Sequence, residues 1–155
     1  MLEAVIIDHV EESEWISPMV IQEKKTAGEI KICVDLRNLN YACLHDPFPT
    51  AFIDEVLENV GGQGMYSFTY KFLGYHQIKI TPEDRHKTTF ASEGGCYQYT
   101  IMPFGLKNAP AIFLRVVVAT FKEYIHEFLE VYFDDWTVFG LLKEHIGRLK
   151  LMLDT

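Results

Sequence analysis

Residues 127–140 read EFLEVYFDDWTVFG, and the rest of the chain is best understood outward from them. FLEVYF and WTVFG are rich in β-branched and aromatic residues and flank Asp134 and Asp135, which predicts two strands joined by a tight turn. Adjacent carboxylates on such a turn repel each other unless solvent or cations relieve them. The dipeptide alone leaves two readings open. Aspartate is a favoured turn residue, so the pair can be a solvated hairpin tip. It can equally be a magnesium site, because Mg2+ is commonly held by one or two carboxylates together with substrate phosphates.

Upstream, residues 108 or 109 to 124 carry the longest helical signal, with Pro110 in the first turn where proline is tolerated. Downstream, LLKEHIGRLKLMLDT predicts an amphipathic helix with Leu142, Ile146, Leu149 and Leu153 on its apolar face. Nearer the start, MVIQEKK and EIKICVDL form a predicted hairpin turning at Thr26, Ala27 and Gly28. Residues 41–50 predict a loop, and AFIDEVLENVGG a short helix with Phe52, Val56, Leu57 and Val60 as its apolar positions. MYSFTYKF predicts a strand, TPEDRHKTTF leads into another, and Gly94 and Gly95 turn the chain into CYQYTI to close a second hairpin. Residues 1–15 form an acidic lead-in with no element assigned, and the whole is expected to be one domain, 1–155.

A chain of 155 residues with 48% hydrophobic and 14% aromatic residues is long and apolar enough for a compact core. No segment approaches the roughly 18 uninterrupted apolar residues of a membrane span, and the acidic start does not resemble a secretory signal. The three cysteines, Cys33, Cys43 and Cys96, form no C-x-x-C pair, which argues against a disulfide framework or zinc site and for a reducing, intracellular setting. A formal charge of −8 argues at first sight against a polyanion partner. Six of the 22 acids fall in residues 1–23, which hold no Lys or Arg, so the remainder sets 16 acids against 14 bases. That near-neutral remainder is compatible with a nucleic-acid groove.

Four segments, in order, carry a family resemblance. Val131-Tyr132-Phe133-Asp134-Asp135 resembles the Y-x-D-D box of reverse transcriptases. MPFGLKNAP at 102–110, GYHQIKI at 74–80 and KICVDLRNLN at 31–40 resemble three further segments of the same family, in its Ty3/Gypsy-type retrotransposon branch. The resemblance runs from about Leu2 to Leu153. It implies an α+β fingers-and-palm fold of the DNA/RNA polymerase superfamily, with an antiparallel palm sheet carrying the Asp-Asp hairpin and helices on one face.

The resemblance also implies a chemistry: RNA-directed DNA polymerisation, a nucleotidyl transfer with two Mg2+ ions, or Mn2+, one activating the primer 3′-hydroxyl and one clamping the triphosphate. Asp134 would be a principal metal ligand, Asp135 its neighbour, and Tyr132 would pack near the primer end. Tyr75 would close off the sugar 2′ side, Phe104 would lie against the nucleotide or templating base, and Lys31 and Lys24 would reach the triphosphate. Lys31 stands where the family usually has arginine, so a bidentate donor has become a point charge. Without the resemblance, these tyrosines and lysines are ordinary core and solvated-surface residues. Asp35, Arg37, His76 and Gln77 are expected to be structural. Implied partners are a template-primer, a deoxynucleoside triphosphate and the remainder of a Pol polyprotein.

The pattern breaks at one place. Where the family has F-S-x-x-D-L-x-S-G-Y-H-Q-I, this chain has Y-S-F-T-Y-K-F-L-G-Y-H-Q-I, so Tyr70 occupies the position of the first catalytic aspartate. No Asp or Glu occurs between Glu58 and Glu83, so no shift of register restores it. A phenol with an ordinary pKa near 10 stays neutral at pH 7 and adds bulk where an ion should sit. The expectation is a polymerase-derived domain with little or no activity. The rival is a non-catalytic, polymerase-derived remnant that acts as a protein-binding module or has no function beyond folding. The 155 residues also do not include the family's thumb, connection and ribonuclease H regions, from which weak, salt-dependent template binding is expected.

Overall fold

The computed structural model describes residues 6–23, 30–49, 52–70, 74–133 and 135–155, without the side chains of residues 22, 23, 30, 31 and 70. The chain divides into two units, 1–45 with 74–109 and 46–73 with 110–155.

In the first unit, strand β1 (Ile7–Val10) pairs antiparallel with β6 (Gly95–Tyr99), which pairs with β5 (Phe90–Ser92). β1 lies inside the acidic lead-in, where no element was expected. Its Ile7 side chain is buried opposite Tyr99, while Asp8 and His9 tolerate the outer positions of an edge strand. β2 (Met19–Glu23) and β3 (Ile30–Val34) form the predicted first hairpin, whose Thr26-Ala27-Gly28 turn lies outside the described residues. Two short helices were not anticipated. α1 (Arg37–Ala42) enters the predicted 41–50 loop, its start fixed by Asp35, whose carboxylate accepts from Arg37 N at 3.1 Å. α3 (Pro82–Arg85) follows Thr81 with proline in its first turn. Gly74–Gln77 and His86–Thr88 are 3-10 turns. Leu36, Leu39, Phe90 and Met102 are buried, and Thr88 and Thr89 are buried with their hydroxyls bonded to backbone carbonyls.

In the second unit, β4 (Met65–Tyr70), β8 (Asp135–Gly140) and β7 (Leu129–Tyr132) form an antiparallel sheet in the order β4-β8-β7. Registered partners share a face, so Ser67, Thr69, Trp136, Val138, Leu129 and Val131 lie on one side. That side carries the helices. Phe121, just beyond α4 (Ala109–Thr120), meets Trp136 with ring centroids 5.0 Å apart, and His145 of α5 (Leu142–Leu153) meets Ser67. α4 ends at Thr120 rather than at Tyr124, because Phe121–Phe128 turn back on themselves through bonds to the Phe121 and Tyr124 carbonyls. α2 (Ile53–Val60) lies along β7, and its exit is tied by Tyr66, whose hydroxyl donates to the Val60 carbonyl at 2.7 Å.

Two apolar faces differ from expectation. α5 buries His145 and Met152, whereas Leu142, Ile146 and Leu153 of the predicted stripe are exposed, Ile146 at 77%. The helix is rotated by its polar anchors. His145 reaches Ser67, and Arg148 donates to the Phe139 carbonyl and lies over the Phe128 ring. α2 likewise buries no residue, and Phe52 and Leu57 face solvent.

Candidate functional site

β7 ends at Tyr132, which is registered with Asp135 at the start of β8, so Asp135 is a strand residue. A two-residue hairpin matching the strand twist needs left-handed backbone, and Phe133 has φ 52°. The Tyr132 ring meets the Phe133 ring edge-on at 4.9 Å. Asp135 is exposed and registered on both sides: Tyr132 of β7 is its partner on one flank and residue 70 of β4 on the other. Residue 70 therefore stands on the neighbouring strand directly beside the second carboxylate of the pair. Asp134 and Lys24 lie outside the described residues. Lys31 is placed in β3 opposite Gln22, its side chain outside the description.

The first unit gathers Tyr75 and Phe104. Tyr75 sits on the 3-10 turn, half-buried, and its ring meets the exposed Phe104 ring at 5.2 Å in an edge-to-face pair. His76 meets the same ring at 5.3 Å. Phe104 is presented by a loop that begins on the buried Met102 and Pro103, with Met102 N donating to the Ile78 carbonyl at 2.8 Å. Gly105 has φ 98°, a conformation that L side chains rarely adopt.

The fixing of that loop was not legible in advance. Asn40 donates to the Gly105 carbonyl at 2.7 Å and accepts from Lys107 N at 2.8 Å. Lys107 Nζ donates to the Cys43 carbonyl and Asn108 Nδ2 to the Leu44 carbonyl, each at 2.7 Å. Four bonds thus lash 105–108 to the end of α1 and the residues after it. Asp35 and Arg37 are structural, as expected. The hydrogen bonds from the Arg37 side chain, then that from its backbone N–H, and last the charge of the guanidinium 2.6 Å away hold the Asp35 carboxyl below the usual range.

A second polar cluster, also unanticipated, lies along β7. Glu130 is buried between Leu129 and Val131, its Oε1 accepting from Asn59 Nδ2 at 3.0 Å and lying 2.8 Å from His126 Nδ1. His126 has φ 69°, a left-handed conformation in which histidine is among the enriched side chains. A charged residue alternating with apolar neighbours ordinarily marks a solvated strand face, so the burial of Glu130 is not legible from the sequence pattern.

Polymerases transfer nucleotides with divalent ions that carboxylates hold. Among the described residues no group of three or more His, Cys, Asp or Glu is arranged to hold a metal. The sequence supplies Asp134 and Asp135 and, at the position registered with Asp135 on β4, a tyrosine.

The sequence pattern of the family described as reverse transcriptase (RNA-dependent DNA polymerase) matches residues 22–154. The chain is 33% identical over 147 residues to the Retrovirus-related Pol polyprotein from transposon gypsy of Drosophila melanogaster, and 35% identical over 142 residues to that from transposon opus. These matches take in 91% and 90% of the chain but 14% of each polyprotein. An RNA-directed DNA polymerase homolog of Oenothera berteroana is 28% identical over 130 residues, 92% of its length. Among solved structures, the prototype foamy virus protease-reverse transcriptase superposes with a TM-score of 0.84 at 25% identity, covering 99% of this chain and 20% of that one. A foamy viral protease-reverse transcriptase in complex with RNA/DNA hybrid gives 0.85 at 23% identity, a likeness of fold. The chain belongs to the reverse transcriptase family, with an α+β fingers-and-palm fold and relatives among retrotransposon Pol polyproteins.

Proposed function

We propose that this chain is the fingers-and-palm domain of a retrotransposon reverse transcriptase that no longer carries out nucleotidyl transfer. The observation that carries the reading is the register of β4 on β8, which sets Tyr70 opposite Asp135. In an active site of this class the carboxylate at that place would bridge two Mg2+ or Mn2+ ions, and charge neutralisation is most of what the protein contributes to phosphoryl chemistry. A phenol gives no charge at pH 7. Asp134 and Asp135 retain the capacity to hold one ion beside substrate phosphates.

The remaining roles follow the family. Tyr75 and Phe104 would form the wall against sugar and base, with Lys31 and Lys24 toward the triphosphate and Tyr132 toward the primer end. The partners are an RNA or DNA template-primer, a deoxynucleoside triphosphate and the rest of a Pol polyprotein. The single-domain reading of 1–155 belongs to the same proposal. No helix among the described residues is long and apolar enough to cross a membrane.

A second reading, a polymerase-derived protein-binding module, draws on the solvent-facing Leu142, Ile146 and Leu153 of α5. The two readings part at the metal. Mn2+ binding followed by electron paramagnetic resonance, with a deoxynucleoside triphosphate present, should be weak in this chain and tighter in Tyr70→Asp. Equal binding by both forms overturns the metal-site reading.

A further inference from the structure

We infer that the cavity beside β7 in the second unit binds a small amphiphilic cation, a protonated amine on an aromatic or branched aliphatic body. The cavity holds about 330 Å3, within the size range of ligand sites. Its walls are apolar, from Phe52 just before α2, Val56 of α2, Leu114 and Val118 of α4, and Val131 of β7. Its polar lining is Glu55, His126 and Glu130, and among the described residues no lysine or arginine contributes to it.

Glu130 is the unusual member. Its neighbours on β7, Leu129 and Val131, are buried apolar residues, and a carboxylate so placed is costly unless it is bonded. Asn59 and His126 share a single oxygen, Oε1, whereas a carboxylate offers about four lone-pair sites. Acceptor capacity therefore remains at a wall of the cavity. His126 is seated on Glu130 from a left-handed backbone position, closed by its own N–H bond to the Leu129 carbonyl at 3.0 Å. None of these residues belongs to the proposed polymerase site, so nothing in that chemistry requires them.

The charge pattern selects the ligand. Two carboxylates, one of them against His126, with no lysine or arginine among the described lining residues, favour a cation over phosphates and carboxylates. Apolar walls require the cation to carry an apolar body, and the exposed Phe52 ring offers a π-face to its charged end.

The probe is 2-phenylethylamine, with 2-phenylethanol as its neutral counterpart, titrated into the full chain and followed by nuclear magnetic resonance. The amine should give saturable shifts centred on Val118, Ile125 and Val131 and bind about tenfold or more tighter than the alcohol, the worth of one charge-assisted hydrogen bond. Glu130→Gln and Glu55→Gln should each weaken the amine and leave the alcohol unchanged. Equal affinity for amine and alcohol, shifts centred elsewhere, absence of saturation, or indifference of the amine to both substitutions overturns the proposal. Should Glu130→Gln fail to fold, Glu55→Gln and the amine-alcohol comparison decide it. No metal or nucleic acid enters the assay, so its failure leaves the polymerase reading untouched.

Discussion

Replacing Ser67 should destabilise the second unit through a histidine on another element. Ser67 Oγ lies 2.8 Å from Nε2 of His145, which is buried in α5, and His145 Nδ1 has no partner among the described residues. A neutral imidazole has one donor and one acceptor nitrogen. In Ser67→Ala both are buried and unbonded, and each such group costs about 1–3 kcal/mol, so a loss of about 2 kcal/mol is expected. His145→Leu removes both nitrogens and fills the space with an apolar side chain, leaving the Ser67 hydroxyl unpaired at about 1 kcal/mol. The double variant removes every polar atom of the pair and should lie within about 1 kcal/mol of the parent. Added singly the losses come to about 3 kcal/mol, so the cycle should show a coupling of about 2 kcal/mol. The assay is urea denaturation of the four proteins, followed by circular dichroism and tryptophan fluorescence, Trp136 being in the same unit. Additive losses in the double variant would refute the argument that this hydrogen bond joins β4 to α5.

Leu129 is fully buried on β7, so Leu129→Ala should cost about 3–5 kcal/mol in the same denaturation assay. Asn40→Ala removes two bonds to the Phe104 loop, and exchange of the Lys107 amide hydrogen should quicken roughly 5–30-fold while the Tyr99 amide is unchanged. Tyr99 is half-buried, and burial first, then the nearby Cys33, pushes its phenol above the ordinary value. The fold therefore favours the neutral form, so this contribution to stability is whole below the unfolded value near pH 10 and is lost as pH rises through the folded one. Alkaline titration of tyrosinate absorbance should lose a component that titrates above the ordinary tyrosine value in Tyr99→Phe.

The segments that were legible in sequence are those where one local rule acts alone. β7 and β8 have β-prone arms on either side of a turn dipeptide, and β2 and β3 have the same form. β1 was hidden because Asp8 and His9 interrupt its apolar run, and only pairing with β6 makes it a strand. α1 lacks a capping side chain at Leu36, and Asp35 does the fixing from one residue earlier. Before α3, Thr81 and Pro82 were a readable helix start, obscured by the strand expected to follow. Periodicity chose the wrong face of α5 because it weighs leucines above histidine, whereas His145 and Arg148 had specific partners on the sheet. At the candidate site, motif order supplied Asp135, Tyr132, Tyr75 and Phe104. Asn40 and Glu130 act through tertiary hydrogen bonds that no local pattern encodes.

The most direct measurement is primer extension on poly(rA)/oligo(dT) with Mg2+ or Mn2+, comparing this chain with Tyr70→Asp, both fused to the thumb of a related reverse transcriptase. Tyr70 registered against Asp135 predicts extension by the aspartate form alone. Extension by both at similar rates would contradict the claim that residue 70 disables the site.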